Sequence, residues 1–232
     1  MALELLVLTL DDIVSWHGDQ HGDRLDCTRP ERADASDDRH AVAQAKALAD
    51  TFTRCRHEVR LARSESARAH AEARMFASEQ GFIAACAAGD FDIERWAMAW
   101  MEDADRTGGR LALASMLSSR MVCATMESAL GQDWADRFSI VATADAIPVH
   151  EAEDEQYRLI LRTTAIPAHQ ALLVTASAHC EEIARGIGMQ AVRLGAQANL
   201  TVPSRDNIDA SWITIDVPEH SRTAGMTESA VG

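Results

Sequence analysis

The second half of the chain constrains the fold most. From Phe91 onward, RWAMAWMEDADRTGG, RLALAS, SSRMVCATMESALG, FSIVAT, EDEQYRLILRTTA, QALLVTAS, AHCEEIARGIG and MQAVRLG follow in that order. The first of each pair reads as a helix and the second as a strand. Helices interposed between short apolar strands imply a parallel sheet with crossover connections. Gly108-Gly109 and Gly131 end two of these helices, where glycine relieves the left-handed turn that stops a helix. Residues 3–10 are nearly all apolar, as suits a central strand covered on both faces, so they are expected to join the same sheet. SWITID, 211–216, is the last candidate strand.

Between that first strand and Phe91 the pattern differs. Residues 17–37 are polar and carry Gly18, Gly22 and Pro30, the composition of a loop. From Asp38 to Ala88 there is no proline and only Gly81. Val42, Leu48, Phe52, Cys55 and Val59 recur at roughly helical spacing, so two or more helices are expected. The expected organisation is α/β: a doubly wound, mostly parallel, Rossmann-like core from 1–16 and 91–217. A helical cap, 17–90, is inserted after the first strand, and 218–232 forms a flexible tail.

The formal net charge of −14 argues against nucleic acid and against anionic membranes as partners. No apolar run approaches the ~18 residues of a membrane span. No basic segment precedes an apolar run at the start, so no secretory signal is expected and the location is expected to be cytoplasmic. Cys27, Cys55, Cys86, Cys123 and Cys180 are widely spaced and form no CxxC pair, as expected of reduced thiols. Lys46 is the one lysine among 22 basic residues, so chemistry that needs a lysine must use it.

The cap-after-first-strand plan and several local motifs resemble the haloacid dehalogenase superfamily, and within it the CbbY-like branch, whose characterised members are sugar-bisphosphate phosphatases. AAGDFDIERWAMAWMEDADRTGGRLALAS resembles the segment leading into the second motif. DRFSIVATADAIPVHEAEDEQY resembles the segment spanning the third, and QALLVTASAHCEEIARGIGMQAVRL the fourth with its helix. The resemblance implies a role for each matching position. Asp-x-Asp-Gly of the first motif, whose first acid attacks phosphorus and whose second is the general acid and base, falls on Thr9-Leu10-Asp11-Asp12. The phosphate-binding hydroxyl falls on Ser115. The lysine before a proline falls on Glu151 and Ala152. The magnesium-binding acid falls on Ala176.

Phosphoryl transfer depends mostly on positioning and charge neutralisation. Thr9 lacks the attacking carboxylate, Ala176 the metal ligand and Glu151 the cation, while Asp11 survives. The pocket is therefore expected to lack the positive charge that a dianionic ester requires, and phosphatase activity of the family type is not expected. The leading expectation is a catalytically degenerate protein that binds a protein partner or a small anionic metabolite near Ser115, with no cofactor. One alternative is an active hydrolase on a sugar phosphate that uses Asp11 and Mg²⁺; another is a structural or assembly subunit.

Other signals have bland counterparts. His17, Asp19, His21 and Asp23 offer dense metal donors, but in a segment that reads as an acidic surface loop. Arg56, Arg60 and Arg63 share a helix face that would suit an acidic or phosphorylated ligand; the favoured reading is a solvated face paired with Glu58, Glu65 and Glu72. Trp96 and Trp100, four apart, read as core. Ser115 also reads as a cap for the helix that follows it.

Overall fold

The computed structural model describes residues 3–16, 35–149 and 154–194. β1 (Leu5–Thr9), β2 (Arg110–Ala114), β3 (Ile140–Ala142), β4 (Ala171–Thr175) and β5 (Gln190–Arg193) form one parallel sheet in the order β3-β2-β1-β4-β5. β1 sits in the middle because its side chains suit no other place: Leu5, Val7 and Leu8 are fully buried and Leu6 nearly so. An apolar residue at every position, rather than every second one, requires cover on both faces. Leu5 and Val7 pack with Ala112, Ala114 and Leu173 beneath Tyr157 and Ile160 of α6 (Asp154–Thr164) and Ala184 of α7 (Ala178–Gly186).

The helices end where the sequence supplies a stop. α4 (Arg95–Thr107) closes at Gly108, whose φ of 69° is left-handed, and the Gly109 amide returns to the Ala104 carbonyl at 2.8 Å. The buried stripe of α4 is Ala97, Met101 and Ala104. Trp96 and Trp100 are only partly covered. The expectation that they enter the core is corrected: the small and flexible side chains take the inner face, and the indoles flank it. α5 (Ser119–Leu130) is capped by Ser118, whose Oγ accepts from the Met121 amide at 3.3 Å. The capping role expected of Ser115 therefore belongs to Ser118.

β1 stops one residue earlier than the apolar run suggests, and Leu10–Ile13 turns into a one-turn helix, α1. Two long helices follow, α2 (Ala35–Leu61) and α3 (Glu65–Ala88). They pack along Val42, Ala45, Ala49, Phe52, Cys55 and Val59 of α2 and Ala71, Ser78, Phe82 and Ala85 of α3. Gly81 lets them approach, since a Cβ there would stand 3.2 Å from Leu48. The chain enters and leaves this pair side by side. Val14 and Ile93 form an antiparallel bridge, with the Ser15 amide on the Asp92 carbonyl at 2.9 Å and the Glu94 amide on the Ile13 carbonyl at 2.8 Å. α3 lies against α5, where the Cys86 thiol meets the Thr125 hydroxyl at 3.8 Å.

Among the described residues, no helix is long and apolar enough to cross a membrane. The expected strand 211–216, the tail 218–232, Cys27 and the His17, Asp19, His21, Asp23 group lie outside the described residues, as do Glu151 and Ala152.

Candidate functional site

Parallel strands bring their C-terminal ends to one edge, and an open α/β sheet binds ligands there, where the strand order reverses direction. Here the reversal lies between β1 and β4. Thr9 at the end of β1 pairs in register with Ala114, next to Ser115, while Leu8 pairs with Val174, next to Thr175. The sheet thus collects Thr9, Asp11, Asp12, Ser115, Thr175 and Ala176 from three segments distant in sequence.

Asp12 is the hub of this edge. Its Oδ2 accepts from the Thr9 hydroxyl, from the Thr175 hydroxyl at 2.7 Å and from the Ala176 amide at 2.9 Å. Asp11, one residue earlier, points into a different space. Its side chain remains about half accessible (47%), and Lys46 Nζ of α2 stands 3.9 Å away. Withdrawal from solvent at the foot of the cleft raises the Asp11 pKa; Lys46 opposes the shift, and the nearby charges of Asp12 and Asp50 add to it. Lys46 also pairs with Asp50 at 2.8 Å and lies over the Trp16 ring, 5.4 Å from its centroid. Trp16 is held by Phe82 and Phe91, and its indole N–H donates to the Asp11 carbonyl at 3.1 Å.

From Asp11 a cleft of about 460 Å³ opens between α2 and the core. Its α2 wall carries Asp50, Thr53, Arg54, Arg56, His57 and Arg60. Met116, Thr143, Ile147, Val149 and Gln156 line the opposite side. Arg56 crosses it and donates to the Ile147 carbonyl at 2.7 Å. Burial holds the Arg56 guanidinium below its ordinary pKa, and the charge of Asp145 works against that shift. The favoured reading of the arginine stripe as a solvated face is corrected for Arg56, whereas Arg60 and Arg63 are exposed. Glu58 and Glu72 are engaged by Arg74 at 2.8 Å and Arg68 at 3.0 Å, and Arg54, Arg56 and Arg60 turn to the cleft. The cleft draws positive charge from α2, while position 151 lies outside the described residues.

Ser115 is buried. Its Oγ accepts from the Leu117 amide at 3.1 Å, and its carbonyl accepts from Gln156 Nε2 at 2.7 Å. Ser115 does not line the cleft, although its neighbour Met116 does. At the start of α5, Asp145 accepts from the Ser119 amide at 2.6 Å, and Glu79 accepts from Ser118 Oγ. Two carboxylates thus already occupy donors at a helix start that would otherwise suit an anion.

The fold and one stretch of sequence point the same way. CbbY of Cereibacter sphaeroides is 26% identical over 116 residues, which is 50% of this chain and 50% of that protein. The crystal structure of CbbY from Rhodobacter sphaeroides in complex with phosphate superposes with a TM-score of 0.57 and 17% identity, over 82% of this chain and 84% of that one. This chain has the fold of these haloacid dehalogenase-like proteins. Its sequence is similar to CbbY over a stretch that spans only about half the length of that curated relative. A HAD family enzyme from Bacteroides thetaiotaomicron, in complex with magnesium and inorganic phosphate, has a TM-score of 0.52 at 14% identity over 86% of this chain and 98% of that one. No family model matches the sequence.

The haloacid dehalogenase-like plan allows the donor set to be tested for magnesium. Magnesium takes near-octahedral oxygen ligands, usually carboxylates and phosphate with several waters. Asp12 Oδ2 already accepts three hydrogen bonds, and the Asp11 carbonyl accepts the Trp16 indole. Among the described residues, no three His, Cys, Asp or Glu side chains converge as a metal site. The donors at positions 9, 12, 175 and 176 do not fit the ion.

Lys46 and Trp16 were not singled out as site residues by sequence reasoning. The one available signal for Lys46 was its uniqueness among the basic residues. Nothing local marked Trp16, whose part depends on the inserted helices folding back over it.

Proposed function

We propose that the chain is a catalytically degenerate haloacid dehalogenase-like protein that binds a small anionic metabolite in the cleft between α2 and the core. The observation that carries this reading is a single juxtaposition. An arginine-lined cleft opens beside Asp11, while the end of β1 offers the Thr9 hydroxyl, tied to Asp12, where an attacking carboxylate would stand. Arg54, Arg56 and Arg60, with His57 between them, present planar donors suited to carboxylate or phosphate oxygens. The apolar wall of Met116, Ile147 and Val149 suits a carbon body. A hydroxyl needs a base or a metal to attack phosphorus, and the one acceptor that Thr9 meets is itself saturated by two further donors.

The assay is thermal unfolding in a titration with inorganic phosphate and with simple phosphate monoesters, at constant ionic strength. A ligand that binds only the native state raises the Tm in a saturable way. The reading requires such a rise, and its loss in Arg54→Ala/Arg60→Ala. An unchanged Tm across the panel, or a rise that survives the double substitution, contradicts it.

A second reading is favoured by the placement of Asp11, half-accessible at the foot of the cleft with Lys46 Nζ 3.9 Å away, where burial also works to raise its pKa. A carboxyl tuned in this way suits a general base that activates water directly, which would make the chain a hydrolase without a covalent intermediate. Steady turnover of a phosphate ester, abolished in Asp11→Asn, would establish it.

A further inference from the structure

In the family that the sequence resembles, acids at the positions of Thr9 and Ala176 surround a cation. Here the groups at that spot all act as donors toward an anion. Thr9 and Thr175 contribute hydroxyls from the ends of two adjacent strands, and Ala176 contributes a backbone N–H. All three converge on one carboxylate oxygen, supplied by Asp12 at the position where the family motif has glycine.

We propose that this edge of the sheet has become a carboxylate-binding site, with Asp12 of the same chain as its resident ligand. The Ala176 amide is the group that decides the point. A hydroxyl can rotate to offer a lone pair to a cation, but a backbone N–H cannot. With the amide aimed at the centre from 2.9 Å, a cation there would meet hydrogen rather than oxygen. The Thr175 side chain is fixed from both sides. It is fully buried, its hydroxyl donates to Asp12 at 2.7 Å, and its oxygen accepts from the Ser177 amide at 3.1 Å. Its hydrogen is therefore committed to the anion. The geometry ties the C-terminal ends of β1 and β4 together through an anion, a junction that the family makes through a metal. Losing acids at 9 and 176 and gaining one at 12 is then a single exchange rather than three separate changes. The inference does not depend on what the α2 cleft binds.

The test uses thermal unfolding of the full chain in sodium formate against sodium chloride at matched ionic strength, with a parallel magnesium titration. The wild-type Tm is expected to respond to neither ion beyond the salt control, because the site is filled. Asp12→Ala leaves three donors facing a small cavity and is expected to lower the Tm by about 5–10 °C. Formate, which matches the deleted carboxylate, is expected to restore much of that loss saturably, and not in Asp12→Ala/Thr175→Val. If Asp12→Ala does not fold in chloride, recovery of folded protein by refolding in formate is the equivalent readout. Thr175→Val alone is expected to fold, with a smaller Tm loss that is not additive with Asp12→Asn. A saturable magnesium-dependent rise in the wild-type Tm would overturn the proposal. So would an Asp12→Ala protein indifferent to formate, or strict additivity of the two substitutions.

Discussion

Replacing Lys46 by methionine separates the electrostatics of the cleft from its packing. Methionine keeps an unbranched apolar stem against Trp16 and deletes the charge. Three interactions are lost. The Asp50 pair at 2.8 Å is an exposed i,i+4 ion pair, about 0.3–0.5 kcal/mol. The Asp11 pair at 3.9 Å would be about 4 kcal/mol by Coulomb's law at an effective dielectric constant near 20. Both side chains are over one-third accessible, however, so the net value falls to about 0.5–1 kcal/mol. The cation over Trp16 at 5.4 Å adds about 0.5–1 kcal/mol at such a site. Urea unfolding at neutral pH should therefore show a loss of about 1.3–2.5 kcal/mol, shrinking in acid as Asp11 takes up a proton and its share of the pair disappears. Lys46 is also the one group that lowers the Asp11 pKa. Carboxyl-carbon NMR should find the Asp11 pKa higher in Lys46→Met than in the wild type. An Asp11 pKa that stays put or falls would refute this account of the cleft.

Further expectations follow from the same structure. Asp11→Asn should stabilise the fold near neutral pH, because a raised folded-state pKa means the ionised form is the disfavoured one. The gain should vanish as pH falls below the unfolded carboxylate value, as calorimetry across pH would register. Phe82→Ala removes a fully buried ring from beside Trp16 and should cost about 3–5 kcal/mol in chemical denaturation. Ala165→Gly should stabilise by about 0.5–1 kcal/mol, because Ala165 holds a left-handed φ of 54° after α6. Among Cys55, Cys86, Cys123 and Cys180, exposed Cys123 should react first with a thiol reagent. Cys86, with its pKa pushed up to about 11 by burial, should react only on unfolding.

The core was legible because parallel strands advertise themselves. β1 and β4 are apolar at every position before a closing threonine, and the crossover helices carry their own stops at Gly108 and Gly131. The pair α2 and α3 was legible as helices, but the direction in which each face points was not. Whether Arg56 meets solvent or the Ile147 carbonyl depends on how the inserted pair folds back, a contact 91 residues apart in sequence. The same limit hid Lys46 and Trp16. The role of Asp12 was hidden for a different reason. Its sequence position matches a glycine that has no chemistry, and only the approach of Thr175, 163 residues away, gives its carboxylate a role. Ser118 rather than Ser115 caps α5 because β2 ends at Ala114 and Ser115 is spent on the turn that follows, where its Oγ accepts from the Leu117 amide.

The central claim, binding without phosphoryl transfer, is met most directly in one calorimeter cell. A phosphate monoester that raises the wild-type Tm is titrated into the protein with magnesium present, and inorganic phosphate is assayed in the same sample. The account predicts a saturable heat and no phosphate released above the protein-free control. Release of phosphate in excess of the protein, absent with Asp11→Asn, would contradict it.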